Sequence, residues 1–248
     1  MSQEGGVDKV VSSDFLGWVK DRMAAFKCGA HDWSHVERVC RTAGIICRKE
    51  GGDLRVTYVA ALMHDMMDSK LVPEGEDLEG LEKSLRQKVE KEMKDATPNW
   101  TEKDTDHVFT IVKSVGYKNM IRDDWNPQGM SLEYRCVQDA DLLDAIGAIG
   151  VARCFAFGGK RNRELFTLED VENSKPTAEE YKNKTGGSGV EHFFEKLLLI
   201  HGMMTTKAGK EMALKRHNNM KMFLENVDEE VNDGLEGEST LGKRLKAI

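Results

Sequence analysis

"LRVTYVAALMHDMMDSK", residues 54–70, is mostly apolar up to Met63 and then presents His64, Asp65 and Asp68 in quick succession. Asp53 stands just before it as a helix cap, so the run reads as a helix bound for a core. Three groups that resist burial at the far end of such a helix need partners. A neutral imidazole and a carboxylate are both ligands for a divalent ion, and at a helix end two adjacent side chains can reach one ion from two sides. A His-Asp pair alone also serves for capping, so donors elsewhere in the chain decide the reading.

Such donors are present on both sides. "HDWSHVERV" (31–39) carries His31 and His35, four residues apart and therefore on one helix face. "VQDADLLDAIG" (137–147) carries Asp139, Asp141 and Asp144 among Leu, Ala and Ile. Carboxylates in a buried helix are costly unless paired with cations or bound to a metal. No cysteine stands among these donors, which argues against a structural zinc site.

Helical spacing continues outward. Val11, Phe15, Trp18, Val19 and Met23 mark a helix over 8–26, and Val36, Val39, Cys40, Ala43 and Ile46 mark one over 34–50 that Gly51-Gly52 stops. A charge-alternating stretch near 77–94 reads as a solvent-facing helix. The segment 98–117 opens with a capping signal and turns apolar at Val108, Ile111, Val112 and Val115. Residues 131–159 read as one long buried helix or a kinked pair, 159–189 as a loop with one short helix, and 190–204 and 207–231 as two more helices. No alternating strand run, repeat or linker appears. The expectation is an all-α domain of roughly eight to eleven helices over 1–232, with a core at about 14–230 and a flexible tail at 233–248.

Bulk properties agree with a globular protein: 248 residues, 40% hydrophobic, 32% charged, net charge −7. That balance gives no footprint for a nucleic-acid polymer. No apolar run approaches the roughly 20 residues of a membrane span, and "MSQEGGVDKV" lacks the basic and apolar regions of a secretory signal. Cys28, Cys40, Cys47, Cys136 and Cys154 form no CxxC pair and are odd in number, as expected of reduced thiols in a cytoplasmic protein.

The order of these motifs resembles the HD-domain superfamily of metal-dependent phosphohydrolases, which is all-α and holds its metal with His, then His-Asp, then Asp. "HDWSHVERV", "AALMHD", "VQDADLLDAIGAIGVARCFAFGG" and "HFFEKLL" are more specifically similar to the small bacterial YpgQ-type HD hydrolases, over about residues 14–230. The resemblance implies His35, His64, Asp65 and Asp141 as metal ligands, with Asp139 the other carboxylate for the distal place. It implies Asp68 as the acid that handles a proton on water or on the leaving group. It implies one divalent ion, Mn²⁺ by family analogy, with Mg²⁺, Co²⁺, Ni²⁺ and Fe²⁺ also compatible with a mixed nitrogen and oxygen set. Such an ion lowers the pKa of water and neutralises phosphoryl charge.

A phosphate substrate needs cations. Arg38 lies one turn after His35, Lys160 and Arg163 follow the Gly pair of "FGGKRNR", and Lys196 lies one turn beyond His192. Arg38, Lys160, Lys196 and His31 are the expected substrate contacts. Asp32 and Asp144 are candidates to orient ligands, His107 reads as helix lining, and His201 and His217 read as structural. Trp33, Phe155 and Phe157 read as packing residues, with stacking on a base the alternative. The expected partner is a small phosphorylated molecule, on the resemblance a nucleoside or deoxynucleoside triphosphate cleaved to monophosphate and pyrophosphate. A phosphomonoesterase and a sensing module with a vestigial site are the alternatives. A two-iron oxygenase would need extra histidines between the doublet and the distal Asp, where only His107 lies. The chain is also compatible with a homodimer.

Overall fold

The computed structural model describes residues 7, 10–25, 32–67, 72, 77–120, 122, 125–167, 187–232 and 240–248. Among these residues the regular structure is helical throughout, with no strand, as the all-α reading expects. The α-helices are α1 (Ser13–Ala25), α2 (Trp33–Glu50), α3 (Leu54–Met63), α4 (Leu78–Ala96), α5 (Glu102–Ser114), α6 (Tyr117–Met120), α7 (Leu132–Asp144), α8 (Gly147–Lys160), α9 (Gly189–His192), α10 (Lys207–Val231) and α11 (Thr240–Lys246). No single helix is long and apolar enough to cross a membrane. The chain groups into two compact units, residues 1–120 with 124–141, and 121–123 with 142–248.

In the first unit α3 is the central element. Every residue from Val56 to Met63 is buried, and α3 packs on both α2 and α5. The turn between α2 and α3 follows the sequence closely. Gly51 takes φ 85° as the left-handed end of α2, its N–H donating to the Cys47 carbonyl at 2.9 Å. Asp53 then caps α3 by accepting the Arg55 N–H at 2.8 Å. Gly44 allows close approach of the two helices, because a Cβ there would strike the ring of Tyr58. The Tyr58 hydroxyl in turn accepts from Arg48 at 2.8 Å.

The helix at 77–94 is not simply solvent-facing. Leu81, Leu85, Val89 and Met93 of α4 recur every fourth residue and are all buried, while Arg86–Glu82 and Lys88–Glu92 pairs lie on its polar side. Charge alternation hid a narrow apolar stripe that packs on α5. The Arg86 guanidinium also lies 4.6 Å from the centroid of the Phe109 ring of α5. α5 begins with a full capping box between Thr101 and Asp104, as its sequence signals. The first turn of α7 is tied to the start of α3 by Glu133, whose Oε1 accepts the Asp53 N–H at 2.8 Å.

In the second unit the apolar stretch at 131–159 breaks into α7 and α8. Gly147 has φ 76°, and a Cβ there would press against the Arg216 side chain, so a side chain is excluded on two counts. Arg216 donates to the Leu143 carbonyl, and Arg153 donates to the Asp144 carbonyl at 3.1 Å. Two guanidiniums thus occupy the carbonyl end of α7, where the helix dipole favours positive charge.

The helix expected over 190–204 is also interrupted. After the single turn of α9, residues Phe193–Leu197 form a π turn, in which the Leu198 N–H donates to the Phe193 carbonyl at 2.8 Å, and Ile200–Met203 form a 3₁₀ turn. Phe193, Phe194, Leu197, Leu198 and Ile200 are all buried, which is too broad an apolar face for one regular helical stripe.

The tail at 233–248 is not wholly flexible. α11 buries Leu241 and Leu245, one turn apart, and lays the Arg244 guanidinium 3.8 Å from the centroid of the Phe194 ring. Residues 233–239 of that tail, and most of the loop read over 159–189, lie outside the described residues.

Candidate metal centre

The candidate centre lies in the first unit and is built from α2, the end of α3 and the last turn of α7. His35 is the third residue of α2 and is anchored through its backbone. Asp32 caps the helix, its Oδ1 accepting the His35 N–H at 2.9 Å and the Ser34 hydroxyl at 2.9 Å. Partial burial works to raise the Asp32 carboxyl, but these hydrogen bonds and the nearby Arg38 charge hold it below the usual carboxylate range. Asp32 therefore orients His35 by fixing its backbone at the helix start.

α3 ends at Met63, where the apolar run ends. His64 is its C-cap and His64–Met67 form a turn, with the Met66 N–H donating to the Met63 carbonyl at 2.9 Å. This puts the doublet at a helix end. The His64 Nδ1 lies 2.7 Å from the Ala61 carbonyl oxygen. A carbonyl only accepts, so Nδ1 carries the hydrogen and Nε2 is left with its lone pair.

That Nε2 faces the Nε2 of His35 at 3.1 Å, both residues being buried. Asp65 places Oδ1 3.4 Å from the His64 Nε2 and Oδ2 3.5 Å from the His35 Nε2. Asp141 places Oδ1 3.6 Å from the His35 Nε2 and 3.9 Å from the His64 Nε2. The ligand atoms of His35, His64 and Asp141 all lie within 4.8 Å of one another, a grouping able to hold a metal ion. The set contains Asp141 and not Asp139, which is fully buried. Two imidazole nitrogens and two carboxylates converging on one small volume is an arrangement that a cation satisfies, and without thiolate the set suits borderline or hard divalent ions.

The other expected site residues divide. His31 and Asp68 lie outside the described residues. Arg38 is half-buried one turn from the cap and donates to the Ser34 hydroxyl at 3.1 Å. Lys160 is exposed at the end of α8 and Lys196 is half-buried in the π turn, both within the second unit. Asp144, also there, pairs with Arg153 at 2.6 Å. His107 is not in the metal grouping. Its Nε2 lies 2.7 Å from the Ser131 hydroxyl and 3.7 Å from Glu133, which makes it part of the α5–α7 joint. Phe155 packs with Phe193 and Phe223, and the Arg161 guanidinium lies 4.5 Å from the centroid of the Phe157 ring. His201 and His217 lie with ring centroids 3.9 Å apart and the rings tilted by 35°. The Ala61 carbonyl, which sets the His64 tautomer, was invisible in the sequence because any residue type can supply it.

Comparison with known proteins follows this geometry. The HD-domain family model matches residues 32–146, an interval that contains all four donors. The uncharacterized protein YpgQ of Bacillus subtilis (strain 168) is 33% identical over 226 residues, covering 90% of this chain and 94% of that protein. A crystal structure of B. subtilis YpgQ in complex with ADP superposes with a TM-score of 0.65 at 28% identity, covering 90% of this chain and 96% of the other. An HD-superfamily hydrolase from Bacillus thuringiensis superposes with a TM-score of 0.64 at 30% identity, covering 89% and 96%.

Proposed function

The chain belongs to the HD-domain family of metal-dependent phosphohydrolases, and from that premise we propose that it cleaves nucleoside or deoxynucleoside triphosphates to the monophosphate and pyrophosphate. The observation that carries the hydrolase reading is the convergence of His35, His64 and Asp141 within 4.8 Å, with Asp65 beside them. The nucleotide part is supported by the ADP bound to the B. subtilis relative.

His35, His64, Asp65 and Asp141 would hold the ion, with Mn²⁺ favoured. A divalent ion held there supplies Lewis acidity toward a phosphoryl oxygen and lowers the pKa of water. The chain's own residues do the rest. Asp32 and Ala61 fix the two imidazoles, one through its backbone and one through its ring. Asp68, three residues beyond Asp65, is assigned the proton, its carboxylate accepting it from the attacking water. Arg38 is assigned to a phosphate oxygen, and its bond to the exposed Ser34 hydroxyl is one that an anion can replace. On the resemblance alone, Lys160, Lys196 and His31 are assigned as further substrate contacts.

The test is a phosphate-release screen with Mn²⁺ over NTPs, dNTPs, nucleoside diphosphates and nucleoside monophosphates, each run with and without pyrophosphatase. A His64→Ala, Asp65→Ala double variant is the control. Pyrophosphate released from triphosphates and lost in the double variant is expected. Orthophosphate from monophosphates alone would replace this reading with a 5′-nucleotidase, and turnover that survives the double variant would remove the metal centre from the chemistry.

A further inference from the structure

We infer that the second unit holds a binding site for an uncharged aromatic molecule with one hydrogen-bond donor, in a cavity walled by Phe194, Leu198, Met203 and Ile248 and by the imidazoles of His201 and His217. The cavity measures about 400 Å³, within the range of pockets that enclose small ligands. All of its lining belongs to the second unit, so it shares no residue with the metal centre. It forms where the chain leaves regular helix. Phe194 comes from the π turn at Phe193–Leu197, and His201 and Met203 come from the 3₁₀ turn at Ile200–Met203. His217 of α10 and Ile248, two residues past α11, close the other walls. π turns recur at functional sites. Among the described residues no Asp, Glu, Lys or Arg side chain lines the cavity.

The two histidines supply the polar part of the lining. The His201 Nδ1 lies 2.9 Å from the Leu198 carbonyl oxygen, which only accepts, so Nδ1 carries the hydrogen and Nε2 of the neutral ring keeps its lone pair. His201 is exposed, so this acceptor is open to an entering ligand. His217 is buried against it, and its Nδ1 has no hydrogen-bond partner. A buried polar atom left without a partner is costly and rare in a folded protein. Here it belongs to a residue that lines a cavity, which points to a ligand and not to an internal contact. Burial also keeps the His217 ring uncharged at neutral pH. The two ring centroids are 3.9 Å apart, closer than the 5.1 Å of the His35–His64 pair, so these rings pack on each other instead of spreading around an ion. An ionic ligand would find no counter-charge in such a lining. Flat apolar walls, a thioether and an imidazole acceptor together suit an aromatic ring that carries a hydroxyl or an N–H.

The experiment titrates the full-length protein, isotope-labelled at its methionine methyl groups, with three probes and follows the methyl NMR signals. Indole has the ring and the donor, N-methylindole has the ring without the donor, and indole carboxylate adds a charge. Indole should move the Met203 signal saturably and leave Met63 and Met66, which flank the His64-Asp65 doublet, where they are. N-methylindole should bind about fivefold more weakly, the worth of one hydrogen bond, and indole carboxylate at least about tenfold more weakly. In His201→Phe, a change at an exposed residue, the difference between indole and N-methylindole should vanish. Leu199→Trp, which fills the cavity from its half-buried wall, should abolish the Met203 response to both. The inference is overturned if Met203 does not respond saturably to indole, if the two uncharged probes bind the wild type equally, if their difference persists in His201→Phe, or if Leu199→Trp binds indole as the wild type does.

Discussion

Asp141→Ala separates the metal centre from the fold more cleanly than any other single change. His35 and His64 are buried, so truncating either leaves a cavity and confounds stability with ligation. The Asp141 side chain is 24% exposed at the end of α7, where water can take its place. Binding to the folded state stabilises by RT ln(1 + [L]/Kd), about 2.7 kcal/mol when Mn²⁺ is present at about 100 times its Kd. Losing one of the three oxygen and nitrogen donors that lie within 4.8 Å should weaken binding by at least about 100-fold, a loss comparable to the upper end seen for outer-shell partners. At the same Mn²⁺ concentration the variant then retains about 0.4 kcal/mol. For a chain of this size about 1 kcal/mol moves Tm by about 2–4 °C. The wild-type increment should therefore be about 5–11 °C and the variant's about 1–2 °C. Differential scanning fluorimetry of protein stripped with chelator, with and without Mn²⁺, reads both. Equal increments in the two proteins would refute Asp141 as a ligand, and no increment in either would refute the centre itself.

The remaining predictions concern the supporting structure. His217 is buried against the His201 ring; burial first, then the charges of His201 and Lys221, lowers it to about 4 from the ordinary 6.5. A depressed folded-state value means that the unfolded chain binds the proton more readily, so the contribution is present above about pH 6.5 and is lost as pH falls toward 4. The full amount is about 3 kcal/mol, and urea titrations from pH 4 to 7 should show a shallower acid loss in His217→Phe than in the wild type. Thr101→Ala removes the capping box of α5 and should cost about 1 kcal/mol in urea unfolding, with Mn²⁺ affinity unchanged. Leu245→Ala should cost about 2–5 kcal/mol if α11 is part of the packed second unit, and a change under 0.5 kcal/mol would return the tail to a frayed state.

The helix boundaries that the sequence announced were the ones with a local chemical cause. Gly51 ends α2, Asp53 caps α3 and Thr101 with Asp104 caps α5, because a left-handed glycine or a short capping side chain acts on its own few residues of backbone. The errors came where packing overrode periodicity. The α4 stripe is only four residues deep in a charged helix, the π turn at Phe193–Leu197 accommodates too many inward apolar groups, and α11 is held by Phe194, which is remote in sequence.

The site divides along the same line. The chain by itself determined the kinds of donor and their order, because imidazole and carboxylate chemistry resides in residue type: His31 and His35, the His64-Asp65 doublet and the acids Asp139, Asp141 and Asp144 are legible as letters, and the family resemblance singles out His35, His64, Asp65 and Asp141. Only the tertiary structure decided that Asp141 and not Asp139 joins the grouping, since two acids two residues apart on α7 differ only in the direction the folded helix gives them. The His64 tautomer, by contrast, is set within one turn of chain, by the Ala61 carbonyl three residues back. The grouping of His35, His64 and Asp141 brings together atoms far apart in the chain, whose proximity depends on how helices pack, and no local pattern encodes that.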